Sequence, residues 1–129
     1  MIDWVLSVLL VAHGWAHIWY VILSRQLISY EEWMAWTGKS WILSGLLGDS
    51  VNRLIATIGY TGSLIGFIMS GVMLHMGRPA WRTTALASSI MSTITILTFW
   101  DGKLSMLKEK GIIGVLINLA VILYTTRLS

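Results

Sequence analysis

Polar residues break the apolar pattern of this chain at a few places, and four apolar stretches lie between the breaks. They run from about Ile2 to Leu23, Leu54 to Met76, Ala80 to Trp100 and Ile112 to Thr126. Each approaches the ~20 residues needed to cross a ~30 Å hydrocarbon layer. Backbone groups in lipid must be satisfied within the segment, so the stretches are expected to be helices. A barrel would show alternating segments of about ten residues, which are absent here. The sequence therefore predicts an all-α chain: a polytopic membrane protein built as a single four-transmembrane-helix bundle, residues 1–129.

The connections differ in kind. Gly77-Arg78-Pro79 reads as a tight hairpin, with Pro79 placed where a missing N–H costs nothing. Asp101 to Gly111 reads as a short charged loop, with Leu104 to Lys110 as an amphipathic turn that extends the last stretch backwards. Asp101 has Lys103 or Lys39 as prospective partners. The segment 24–53 is long. Ser29-Tyr30-Glu31-Glu32 reads as a capping box opening a short helix, followed by Trp33, Trp36 and Trp41. Tryptophans at this density suit a membrane interface, as a surface anchor or as a lid over a cavity in the bundle.

Composition sharpens the class. The chain has 129 residues, 56% hydrophobic and 12% charged, and its mean hydropathy is +0.74. A chain this short cannot hide that much apolar surface in one soluble core. Cysteine is absent, which removes disulfides, thiolate nucleophiles and cysteine-held metals. Asp3 stands where a secretory signal would carry a basic residue, and no small-x-small site follows, so the first stretch is expected to be retained. The net charge of +3 is spread over several loops, with no nucleic-acid footprint. Loops 24–53 and 101–111 hold Arg25, Lys39, Arg53, Lys103, Lys108 and Lys110, against Arg78, Arg82 and Arg127 on the other side. That bias predicts both loops in the cytoplasm of a cell membrane and the termini opposite.

His13 and His17 lie four apart on one helix face. Ionisable groups at membrane depth usually face the bundle interior. His17 lies about six residues from the loop-one end of its helix, or ~9 Å at ~1.5 Å per residue. Counting inward from the same side puts Tyr60, Ser92, Thr95 and Asn118 at similar depth, one polar layer fed by all four helices. Such a layer can be interhelical hydrogen bonding at ~0.6 to 2 kcal/mol each. It can also be a small-molecule site, with Trp36 and Trp41 in its cover. A quinone carbonyl needs a donor at this depth, and neutral histidine, tyrosine and asparagine all supply one. His13 and His17 can also hold a metal, but two ligands on one helix rarely suffice, and haem would need a histidine from another subunit. Gly62, Gly66 and Ser70 form a small-residue stripe that suits packing within the bundle or oligomerisation.

Ala12-His13-Gly14-Trp15-Ala16-His17 resembles the first-helix signature of small DoxX-like four-helix membrane proteins. Phe99-Trp100-Asp101-Gly102 and Gly111-Ile112-Ile113-Gly114-Val115-Leu116-Ile117-Asn118 look like the corresponding later part of such chains. The resemblance implies a four-helix bundle acting as a subunit or accessory protein of a quinone-linked membrane redox system. The long tryptophan-rich first loop departs from that pattern. The expected function is thus a redox-system subunit binding a quinone-like or lipid ligand around His17, with membrane lipids and other membrane subunits or further copies as partners. The alternative is a structural or assembly protein that oligomerises through its small-residue face. An independent lipid-modifying enzyme using a histidine base ranks last, because no activated nucleophile, metal set or paired carboxylate accompanies the histidines.

Overall fold

A computed structural model describes residues 2–34, 36–104, 107 and 110–127. Among these residues every regular element is helical and no strand occurs. Helices α1 (Ile2–Ala16) and α2 (Ile18–Ser24) run end to end, so Asp3–Ser24 forms one apolar rod. Three further helices follow: α3 (Asp49–His75), α4 (Trp81–Thr98) and α5 (Ile112–Arg127). Asp3–Ser24 and Asp49–His75 are long and apolar enough to cross a membrane, while α5 is apolar but shorter. Helix α4 carries Ser88, Ser89, Ser92, Thr93 and Thr95 in its middle, which dilutes its apolar character.

Helix α3 begins at Asp49, five residues before its apolar stretch. Hydropathy marks only the apolar part, whereas Asp49 suits the positive N-terminal end of a helix and pairs with Arg53 one turn later at 3.1 Å. The capping box at Ser29 to Glu32 does not open a regular helix. It yields one 3₁₀ turn, Glu32–Met34, and the Glu31 carboxylate accepts the Trp33 indole N–H. Lys108, counted in the loop charge, and part of the turn expected from Leu104 to Lys110 lie outside the described residues.

The rods pack in sequence: α1 and α2 on α3, α3 on α4, and α4 on α5. Small residues set the close approaches. A Cβ on Gly14 would stand 2.9 Å from Phe67 Cβ, and one on Gly71 would stand 2.6 Å from Val11 Cγ2. Cβ atoms on Gly59 and Gly66 would overlap Thr95 and Ser88, and one on Gly62 would stand 2.7 Å from Met91 Sδ. Ser70 Oγ donates to Trp81 O at 2.9 Å. The Gly62–Gly66–Ser70 stripe, one of whose expected uses was oligomerisation, is therefore covered by α4 of the same chain.

Buried positions recur every three or four residues on α1 and at the junction that follows it (Ser7, Leu10, His13, His17), on α3 (Tyr60, Ser63, Phe67, Ser70) and on α4 (Ala85, Ser88, Ser92, Thr95). Small and polar residues predominate there, while Leu9, Ile65, Ile94, Leu116 and Leu123 point outward and are exposed. Apolar packing gathers in two clusters. One cluster centres on Leu23, Trp36, Tyr60 and Phe99, the other on Leu10, Phe67, Leu74 and Trp81.

The loop from α2 to α3 is tied down by polar groups. Arg53 donates through Nη1 to Leu23 O at 3.0 Å and through Nη2 to Thr37 O at 3.1 Å. Gly38, at φ 76°, lets the chain turn against this guanidinium, where a Cβ would lie only 3.0 Å away. Ser40 Oγ donates to Thr98 O, Trp41 Nε1 to Leu97 O at 2.7 Å and Trp41 N to Trp100 O at 2.8 Å. These bonds satisfy carbonyls that the end of α4 would otherwise leave open.

Candidate functional site: a closed hydrogen-bond circuit at an open helix seam

The polar layer contains a ring of four side chains whose hydrogen bonds run in one direction. The backbone carbonyl of His13 can only accept, and this sets the direction. His17 Nδ1 lies 2.9 Å from it and therefore carries a hydrogen. In a neutral ring His17 Nε2 is then a bare acceptor, and the Ser92 hydroxyl donates to it at 2.6 Å. Asn118 Nδ2 donates to Ser92 Oγ at 2.9 Å. That orientation turns Asn118 Oδ1 toward His13 Nε2, which donates across 2.7 Å. Every contact pairs a donor with an acceptor, so two neutral imidazoles close the circuit without any further proton.

Local structure supports this arrangement. His17 takes the carbonyl of residue i−4 with its ring, and its own amide turns instead to Gly14 O at 3.0 Å. The helix tightens there, which is why α1 and α2 meet at His17. Gly14 brings the helix against α3 between the two histidines. Phe67 then sits with its ring centroid 4.6 Å from His13 and 5.5 Å from His17. Sequence reading passed over Phe67, although its seven-residue spacing from Tyr60 places it on the same face of α3.

The other residues of the expected layer are used differently. Tyr60 is fully buried, stacks on Tyr20 at 4.9 Å and meets the edge of Trp36 at 5.9 Å. Its hydroxyl and Trp36 Nε1 have no hydrogen-bond partner among the described residues. Thr95 Oγ1 donates to Met91 O at 2.7 Å on its own helix, and its side chain packs over Gly59, so it stays outside the circuit. Trp41 is more than half exposed, and its indole N–H binds Leu97 O near the end of α4. Asp101 pairs with Lys110 at 3.1 Å and accepts the Lys103 amide at 3.0 Å, so neither Lys103 nor Lys39 is its side-chain partner. Burial alone would raise the Asp101 pKa. The Lys103 amide and the Lys110 ammonium outweigh it and hold the carboxyl below its usual range.

One seam of the bundle is open. The backbones of α1 and α5 do not pack closely, and the His13–Asn118 bond bridges them. Two grooves flank this bridge. One, about 320 Å³, is lined by Leu6, Leu9, Ile117, Ala120, Val121 and Tyr124 among others. The second, about 210 Å³, is lined by His17, Trp19, Tyr20, Ile96, Gly111 and Gly114 among others. His13 and Ile117 line both. Both imidazole Nε2 atoms are engaged, so a metal held by the two of them would require opening the circuit. Among the described residues no group of three or more His, Cys, Asp or Glu side chains gathers as a metal site. The chain matches no protein-family model, no curated protein and no solved structure.

Proposed function

We propose that the chain is a four-helix integral membrane protein of DoxX-like character that holds a quinone-like or lipid ligand in the seam between α1 and α5. The ligand lies over the His13–Asn118 bridge. The observation that carries this reading is the pair of apolar grooves meeting at His13, where the two helices are joined by a side-chain bridge. Small-molecule sites are concave, mostly apolar and supplied with a few placed polar groups.

The membrane part of the reading rests on the inside-out distribution of side chains. Serines, an asparagine and two histidines fill the interior while leucines and isoleucines face outward. In water that arrangement exposes large apolar faces. In lipid it puts polar groups where they satisfy one another. The two long helices α1–α2 and α3 span, and α4 and α5 complete the bundle, with the loops after α2 and α4 on the cytoplasmic side. The chain then serves as a ligand-holding subunit beside other membrane proteins rather than as an independent enzyme.

The test is organic extraction and mass spectrometry of the protein purified in mild detergent. Wild type is expected to carry a long-chain molecule close to one per chain. Ala120→Phe, at an exposed position of the larger groove, is expected to lose it while keeping its helicity and elution volume. Absence of any such molecule from wild type overturns the reading. It would favour a second one, a structural or assembly protein, which the circuit supports: each of its four hydrogen bonds joins a donor and an acceptor of the chain itself.

A further inference from the structure

We infer that the ligand of the α1–α5 seam is a hydrogen-bond donor: a hydroxyl carried on a long apolar chain and received by Nδ1 of His13. This deepens the seam-binding reading and rests on it. The circuit fixes which atoms remain for a ligand. His17 gives its only N–H to a backbone carbonyl and its lone pair to Ser92. The Asn118 amide bridges Ser92 and His13. His13 gives its only N–H to Asn118, which leaves Nδ1 as an unshared lone pair. Nδ1 has no hydrogen bond to the described residues and is not a sealed polar atom.

The same ring forms the wall common to both grooves. A Cβ added at Gly114 on α5 would stand 3.4 Å from Ile96 Cδ1 and 4.0 Å from Cε1 of this ring. A carbonyl ligand, such as a quinone or an ester, would set lone pair against lone pair at Nδ1. A hydroxyl would complete it. The N–H donors of His13 and His17 are already engaged, and Asn118, which gives one N–H to Ser92, is fully buried and cannot offer its second to a ligand. Hydroquinones and aliphatic alcohols share the required chemistry. The apolar lining, from Leu6 and Leu9 to Ile113 and Ile117, selects a chain rather than a small polar solute. Gly111 to Thr125 spans ~21 Å at ~1.5 Å per residue, room for a long extended tail.

The experiment measures binding of decylhydroquinone, decylbenzoquinone, the dimethyl ether of the former and dodecanol to the purified protein in nanodiscs, under reducing, anaerobic conditions for the first. The hydroquinone is expected to bind about tenfold more tightly than both the quinone and the ether, a difference set by one hydrogen bond. Dodecanol distinguishes the sources: binding equal to that of the hydroquinone assigns an aliphatic alcohol, and weaker binding assigns the aromatic ring. Ala120→Phe should abolish binding of every probe. If quinone, ether and hydroquinone bind alike and Ala120→Phe still abolishes all three, the seam is a binding site but the donor assignment is overturned. If no probe binds, the seam reading fails and this inference with it.

Discussion

The ring of His17 occupies the backbone carbonyl of His13 that the His17 amide would hold in a regular helix, at 2.9 Å through Nδ1. Side chains that bond nearby backbone compete with the helix for those groups. Here the competition has a chemical consequence. The carbonyl cannot donate, so it fixes the proton on one nitrogen of His17, and the polarity of Ser92, Asn118 and His13 follows from that single constraint.

Removing the hydroxyl of Ser92 strands two partners at once, His17 Nε2 and one Asn118 N–H. Ser92→Ala is expected to cost about 2 kcal/mol, the penalty of leaving buried polar groups unpaired. Asn118→Leu breaks the same circuit from α5. The double variant should be less destabilised than the two single losses added together, by about 1 kcal/mol. Denaturant titration in detergent micelles reads all three; strict additivity would mean that the four side chains do not act as one network.

Gly66 faces Ser88 across the α3–α4 crossing with no room for a Cβ. Gly66→Ala should lower stability by about 1–3 kcal/mol through overpacking. Ser88→Gly in the same chain should recover much of that loss, and the oligomeric state should stay unchanged throughout. A change of mass in detergent on Gly66→Ala, without loss of stability, would return this stripe to a face between copies.

Much of the site was legible before the fold. Counting residues from helix ends set His17, Ser92 and Asn118 at one depth because helical rise is constant. His13 followed as the residue one turn away. Depth arithmetic does not give direction around a helix, so Thr95, at the right level, turned out to bond its own backbone and pack on Gly59. The stripe at Gly62 and Gly66 read as a close approach, but spacing alone does not say which helix approaches. Arg53 entered the sequence reading only as a charge. Its reach to Leu23 O and Thr37 O depends on a loop whose path no periodicity encodes. The open seam was also hidden, because α1 and α5 are the helices farthest apart along the chain.

Arg53 holds three segments with one guanidinium. Arg53→Ala should release the 25–48 loop and raise its rate of cleavage by trypsin or chymotrypsin severalfold, with little change in α1 or α5. Arg53→Lys should not restore protection, since a single ammonium cannot reproduce the planar fork that meets Leu23 and Thr37. Equal cleavage rates for wild type and Arg53→Ala would show that the loop is held by Ser40 and Trp41 alone.

The Asp101–Lys110 pair makes stability depend on pH in a defined sense. The folded Asp101 carboxyl titrates below its ordinary value of 3.8. Its contribution is therefore complete above about pH 5 and disappears as pH falls through the lowered folded value. Asp101→Asn should cost about 3 kcal/mol near neutrality by leaving the buried Lys110 ammonium unpaired. It should also flatten the acid limb of the stability curve. An unchanged acid limb in Asp101→Asn would assign that limb to other carboxylates.

The directional circuit is tested most directly by the nitrogen resonances of the histidine rings in lipid bilayers at neutral pH, with the exposed His75 removed as His75→Gln to leave His13 and His17. Two neutral imidazoles of opposite tautomer are expected, His17 protonated at Nδ1 and His13 at Nε2, and Ser92→Ala should shift the unprotonated Nε2 signal of His17. Two rings of the same tautomer, or a cationic ring, would contradict the circuit and the donor preference derived from it.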